Sequence, residues 1–363
     1  MQLPTYGQAF QHILQLARDN GFFVSLSQAR LARGACNERL CTTYFTSFTP
    51  DDRRIAKALI VISGVHGIEG HIGHLAQCRI LENKMRLELP DDTGLVLVHL
   101  VNPWGMSHGR RVDEQNIDVN RGCHFDGHGA NALYNEVRSL VEPARLDNEL
   151  LNALRAKISS EQERRAFFAA AVSGQWHAPN GIFYGGDRTC MSGELLAIAC
   201  QQPFLAKLKQ AVAIDVHSGL GPRGQGTLLC PLPSSEGAEA DKTRRIFGET
   251  VQFINAGKPT ITTGVNGDYL PAMKKRLGPK CDFTGIALEM GTTTVLESFP
   301  PLVFENALRH NPKLADATNQ ELVREQLAMF RRTFAPLDET DFMDAFYSVF
   351  DQTFRAGARG LSA

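Results

Sequence analysis

The stretch AKALIVISGVHGIEG (residues 56–70) joins a nearly continuous apolar run to a turn of glycines and polar side chains. A half-exposed strand alternates apolar and polar residues, so an unbroken run points to a central strand covered on both faces. His66 and Glu69 fall directly beyond it, between glycines that let the backbone turn tightly. Ile72, Leu75, Ala76, Ile80 and Leu81 follow at helical spacing.

Working outward, the same pattern recurs. LVLVHLV (residues 95–101) is a second buried strand ending in NPWG, AVAIDV (211–216) a third ending in HSG, and residues 283–288 a fourth ending in EMGT. The polar, β-branched run 41–48 reads as a further strand. Phe10, Ile13, Leu14 and Ala17 have helical spacing, residues 131–209 are mostly helical in pattern, and helices dominate after about residue 300. Strands alternating with helices predict one α/β domain over residues 1–363, with a central mixed, mostly parallel sheet and helices on both faces. Residues 55–295 carry the candidate chemistry, and 300–363 form a helical end. Ligands bind such sheets at the carboxyl ends of the strands. His66, Glu69, Asn102, His217 and Glu289 are each expected just past a strand end, so they should converge on one edge.

Composition narrows the partners. Thirty-eight Lys plus Arg nearly cancel 39 Asp plus Glu, so no basic excess points to nucleic acid or an anionic membrane. No apolar run approaches the roughly 20 residues of a spanning helix. The N-terminus lacks the charged start, apolar stretch and small-residue cleavage site of a secretory signal. The eight cysteines are scattered with no CxxC pair. Reduced thiols and a cytoplasmic location are the expectation.

His66-Gly-Ile-Glu69 is HxxE, and residues three apart at a helix start can reach one cation. The helix dipole favours a carboxylate there. His217, ending another buried run, completes a His₂Glu set. Such a set leaves a fourth position open, as catalytic zinc requires, and no cysteine lies near either segment to close it. One Zn²⁺ per chain follows. His71 and His74 read as ordinary residues of the helix after Glu69. Gly219-Leu-Gly221-Pro-Arg-Gly224 matches GxGxxG, but Pro222 and the apolar residues after it open no helix, so a dinucleotide site fails its context test. These glycines more plausibly bring the chain close to the metal.

With these residues in hand, the sequence resembles the zinc carboxypeptidase family, closest to a bacterial subgroup catalogued as a domain of unknown function. The family's motifs occur in order: His66 and Glu69, Asn102-Pro-Trp-Gly105, Arg110-Arg111, Asp118-Val-Asn120-Arg121, His217, and Glu289 in ALEMGT. The resemblance implies that Glu289 is the general base and that Arg111, or nearly as well Arg110, polarises the scissile carbonyl. It implies that Asn120 and Arg121 bind a substrate carboxylate and that Asp118 orients His66. Tyr269, about 20 residues before Glu289, would be the mobile tyrosine that closes over the substrate. The basic run Lys274, Lys275, Arg276 reads as solvated charge, and PNGIFYGG (179–186) as cleft lining.

The implied activity is hydrolysis of an amide bond beside a free carboxylate, with carboxypeptidase action on small peptides as the leading form. Aspartoacylase and succinylglutamate desuccinylase share HxxE, DxNR and the late Glu, so deacylation of N-acyl amino acids is the alternative. A metal-bearing binding protein without turnover is the third reading.

Overall fold

The computed structural model describes residues 3–26, 32–124, 131–254, 268–316 and 318–362. Eight strands form one sheet: β1 (Phe23–Leu26), β2 (Thr43–Thr46), β3 (Lys57–Ser63), β4 (Thr93–His99), β5 (Gln210–Leu220), β6 (Gly226–Cys230), β7 (Gln252–Phe253) and β8 (Asp282–Thr293). Their order is β1-β2-β4-β3-β5-β8-β6-β7. The four central strands β4, β3, β5 and β8 are parallel, while β2 and β6 run antiparallel against their outer sides. The short edge strands β1 and β7, and β6 between β8 and β7, are not expected from the sequence.

The unbroken apolar runs are explained by burial on both faces. Leu59, Val61, Leu95, Leu97, Val212 and Ile214 belong to one core layer. The alternate residues Ala58, Ile60, Ile62, Val96, Val98, Ala211 and Ala213 belong to the other. Helix α1 (Tyr6–Asp19) and helix α2 (Gly70–Glu82) cover the first face together with the helix Thr340–Arg359, which supplies Phe342, Phe346, Phe350 and Phe354. The helices Met191–Gln201 and Tyr269–Leu277 cover the second. A third apolar cluster joins the helices between residues 134 and 171 to Phe299, Phe304, Phe330 and Phe334 near the C-terminal end of the sheet. Among the described residues, no helix is long and apolar enough to cross a membrane. None of the eight cysteines is in a disulfide.

Candidate metal centre and active site

The HxxE turn is locked by backbone before any side chain acts. Gly67 and Ile68 donate their N–H groups to the carbonyls of Arg111 and Arg110, at 2.9 and 2.8 Å. A Cβ on Gly67 would lie 2.3 Å from the backbone of Gly105, so only glycine permits this approach. Asn102 starts the short helix α3 (Pro103–His108), accepting from the N–H of Gly105 at 2.9 Å, with Pro103 at the first helical position. Its own N–H donates to Gly64 at 2.8 Å. The NPWG motif is therefore the clamp that seats Arg111 beside His66.

His66, Glu69 and His217 come together, with one candidate ligand atom from each lying within 4.8 Å of the others. His66 Nδ1 is 2.9 Å from one Glu69 oxygen and His217 Nδ1 is 2.7 Å from the other. All three side chains are buried. The far nitrogens face carboxylates: His217 Nε2 is 2.8 Å from Asp215, and His66 Nε2 is 3.4 Å from Asp118. Asp118 also caps the helical turn Val119–Gly122 and pairs with Arg111. Arg111 places its Nη2 2.7 Å from His66 Nε2.

The electrostatics fit a cation. Burial alone would raise Glu69, yet the imidazoles of His66 and then His217 outweigh it and hold the carboxyl well below the ordinary range. Burial opposes charge on His217 too, but Asp215, backed by Glu69, pushes it well above its usual value. Two imidazoles with their Nδ1 atoms turned to one carboxylate, and their outer nitrogens turned to two more, match in type the donors and supporting partners that a divalent metal takes. These residues could hold such an ion.

Glu289 lies inside β8, opposite His217 on β5. Both strands run further than expected, so these two residues sit within them rather than past their ends. Glu289 accepts from the N–H of Leu220 at 3.0 Å. Burial, reinforced by the charge of Glu69, raises its carboxyl to about 8. A Cβ on Gly219 would come within 2.9 Å of Phe334 and 3.4 Å of Glu289, so this glycine does let the chain pass tightly beside the site.

A cavity of about 930 Å³ opens here, lined by His66, Glu69, Arg111, Asn120, Arg121, His217 and Glu289. Phe168, Phe183, Leu270, Phe299, Leu302 and Phe334 form much of its apolar wall. Phe183, from PNGIFYGG, has its backbone at φ 52° and its ring 5.0 and 5.5 Å below the guanidinium carbons of Arg111 and Arg121. Arg121 donates to the carbonyls of Val172 and Asn120 at 2.9 and 2.8 Å and lies 3.4 Å from Asp268. Asn120 accepts from the N–H of Tyr269 at 3.0 Å.

Two expectations need correction. Arg110 does not line the cavity; it turns away to pair with Glu305, which separates it from Arg111. Tyr269 is 1 % exposed, packed in the second core layer beside Tyr44 rather than in the cavity. Its spacing from Glu289 matched, but it starts a helix whose first turn points into the core. Lys274 pairs with Glu239 at 2.5 Å, and Lys274 and Lys275 line a separate cavity of about 770 Å³. Asp215 was overlooked, although a strand's period of two puts residues 215 and 217 on one face.

The sequence matches the model of a family of proteins of unknown function, DUF2817, over residues 3–347. The chain belongs to the DUF2817 family. Among solved structures it is similar to carboxypeptidase A from Helicoverpa armigera, at 10 % identity and a TM-score of 0.45, covering 93 % of this chain and 75 % of that one. It is also similar to metallo-carboxypeptidases from Burkholderia cenocepacia (12 %, 0.44, covering 96 % and 69 %) and Pseudomonas aeruginosa (12 %, 0.40, covering 95 % and 68 %). No curated protein matches.

Proposed function

We propose that this DUF2817 protein is a zinc-dependent hydrolase that cleaves an amide bond next to a free carboxylate, as a carboxypeptidase acting on small peptides. The observation that carries the reading is the buried His66–Glu69–His217 group, with each histidine's outer nitrogen against a carboxylate and Glu289 facing the same cavity.

Zinc held by His66 Nδ1, Glu69 and His217 Nδ1 would, when bound, act as a Lewis acid and acidify a water. Glu289 takes the proton from the attacking water and returns it to the leaving amine. Burial raises its carboxyl, and a cation on Glu69 would lower it again, towards the range of a working base. Were His66 Nδ1 to hold the metal, its imidazole proton would reside on Nε2 and be donated to Asp118. Nε2 would then no longer accept from Arg111, whose Nη2 would be free to hold the developing oxyanion. Asp118 keeps the other end of that guanidinium in place. Asn120 and Arg121 receive the substrate carboxylate. The apolar wall favours an apolar side chain next to it.

Deacylation of N-acyl amino acids stays as the second reading, because the burial of Tyr269 removes the residue that most favoured the peptidase. The experiment that separates them pairs a series of peptides differing in their C-terminal residue with N-acetyl and N-succinyl amino acids, using zinc-loaded protein. Release of C-terminal residues supports the proposal; hydrolysis confined to acyl amino acids assigns the alternative. Loss of neither substrate class supports a binding protein.

A further inference from the structure

A second group of metal-ligating side chains lies outside this site, on the helices that cover the first face of the sheet. His74 and Cys78 are four residues apart on α2, which puts them on one side of the helix. Helix α1 packs against that side and brings His12. Cys78 Sγ is 3.7 Å from His12 Nδ1 and 3.6 Å from both ring nitrogens of His74. One ligand atom from each of the three lies within 4.8 Å of the others. A tetrahedral ion with metal–sulfur and metal–nitrogen bonds of about 2.3 and 2.0–2.1 Å separates its sulfur and nitrogen ligands by about 3.6 Å. The distances fit, but Cys78 Sγ is equally far from both nitrogens of His74, so binding requires that ring to turn until one nitrogen faces the sulfur.

Two further buried imidazoles, outside the ligand set, lie nearby on α2 and β4. The ring of His99, fully buried, stands 5.5 Å from that of His74. Gln77 uses its amide nitrogen on the carbonyls of Val61 and Val98, both at 3.0 Å, so its oxygen must accept from His99 Nδ1 at 2.8 Å. That fixes the tautomer: Nε2 of His99 is the bare nitrogen, and it is buried without a hydrogen-bond partner among the described residues. A lone pair in that condition costs stability unless something fills it. His71, on the same helix as His74, likewise leaves Nδ1 buried without a partner among the described residues.

We propose that His12, His74 and Cys78 form a second metal site, for a borderline-soft divalent cation of the zinc class, which ties α1 to α2. A thiolate and two imidazoles suit that cation, and oxygen-seeking magnesium or calcium would be rejected. Binding replaces the Cys78 S–H bond by a metal–sulfur bond and releases one proton to solvent. His12 is exposed and provides the route in. Because α2 begins directly after Glu69, the tie braces the helix behind the proposed catalytic centre without contributing a ligand to it.

Cobalt(II) tests this independently of the proposed function, since only a sulfur ligand gives a near-ultraviolet sulfur-to-cobalt charge-transfer band. Chelator-stripped full-length protein titrated with Co²⁺ should show that band, and a His66→Ala/His217→Ala variant should keep it. Cys78→Ser should abolish it. His12→Gln, an exposed change that leaves the core intact, should weaken the cobalt affinity read from the band at least tenfold. Excess Zn²⁺ should raise the Tm of the His66→Ala/His217→Ala variant, and by less once His12→Gln is added. The proposal is overturned by wild-type protein without the band. A band that survives Cys78→Ser, or one untouched by His12→Gln, overturns it equally.

Discussion

His217 and Glu289 are register partners on the neighbouring parallel strands β5 and β8, and their side chains leave the sheet on the same face. One belongs to the proposed ligand set and the other is the proposed base, so a single pair of strands fixes the spacing between metal and proton acceptor. Asp215, two residues before His217 on that face, extends the relationship by one hydrogen bond.

Replacing Glu289 with Gln keeps the shape and removes the base. Turnover should fall by about 10²–10⁴-fold, with fold and metal content unchanged. Stopped or steady-state hydrolysis beside metal analysis of the same sample checks this. Wild-type rates would return Glu289 to a purely structural role.

Arg111 and Arg110 should separate cleanly. Arg111→Ala should lower kcat by about 10²–10³-fold through lost oxyanion stabilisation. Arg110→Ala should spare kcat and reduce stability, because it leaves the buried carboxylate of Glu305 unpaired. Burial raises Glu305 while Arg110 opposes that rise. Without Arg110 the folded-state value climbs further above the unfolded one, so the folded chain binds the extra proton. Stability of Arg110→Ala should then recover as pH falls through that raised value towards the ordinary glutamate range, and decline again as pH rises. Urea unfolding across pH, set against wild type, is the measurement; a pH-independent difference would contradict it.

Asp215→Asn should leave the fold intact and weaken metal affinity by about 10–100-fold, since the carboxylate that orients His217 is lost. Competition with a zinc chelator measures the change. An unaltered affinity would mean that Asp215 does not act through His217.

The sequence made the central strands legible because burial on both faces leaves an unmistakable apolar run in β3, β4 and β5. The edge strands β1 and β7 carry no such run, and β6 is cut short by Pro231 and Pro233 just past its end, so all three escape the pattern. His66, Glu69 and His217 could be read from position after or within those runs. Arg110 and Arg111 could not be told apart, because which side chain enters the cavity depends on Glu305, 195 residues away. Tyr269 misled for a related reason: distance along the chain from Glu289 carries no information on which way a helix's first residue points. The grouping of His12 with Cys78 depends on how two helices pack, a contact that neither segment's pattern announces.

Arg121 supplies the test of substrate class. Arg121→Ala should weaken hydrolysis of a substrate with a free carboxylate by about 10²-fold, in line with a charge-assisted pair worth roughly 1.5–3 kcal/mol. Amidating that carboxylate should harm the wild type comparably and the variant little. This non-additivity distinguishes direct recognition from a general defect, which would slow both substrates alike. Equal cleavage of free and amidated substrates by wild type would contradict carboxylate recognition.

The central claim is that zinc is held by His66, Glu69 and His217, and a crystal structure of the zinc-loaded protein with anomalous data at the zinc edge tests it most directly. The account predicts a peak about 2.0–2.2 Å from Nδ1 of both histidines and from a Glu69 oxygen. A map from fully loaded crystals with no peak between these three side chains would contradict it.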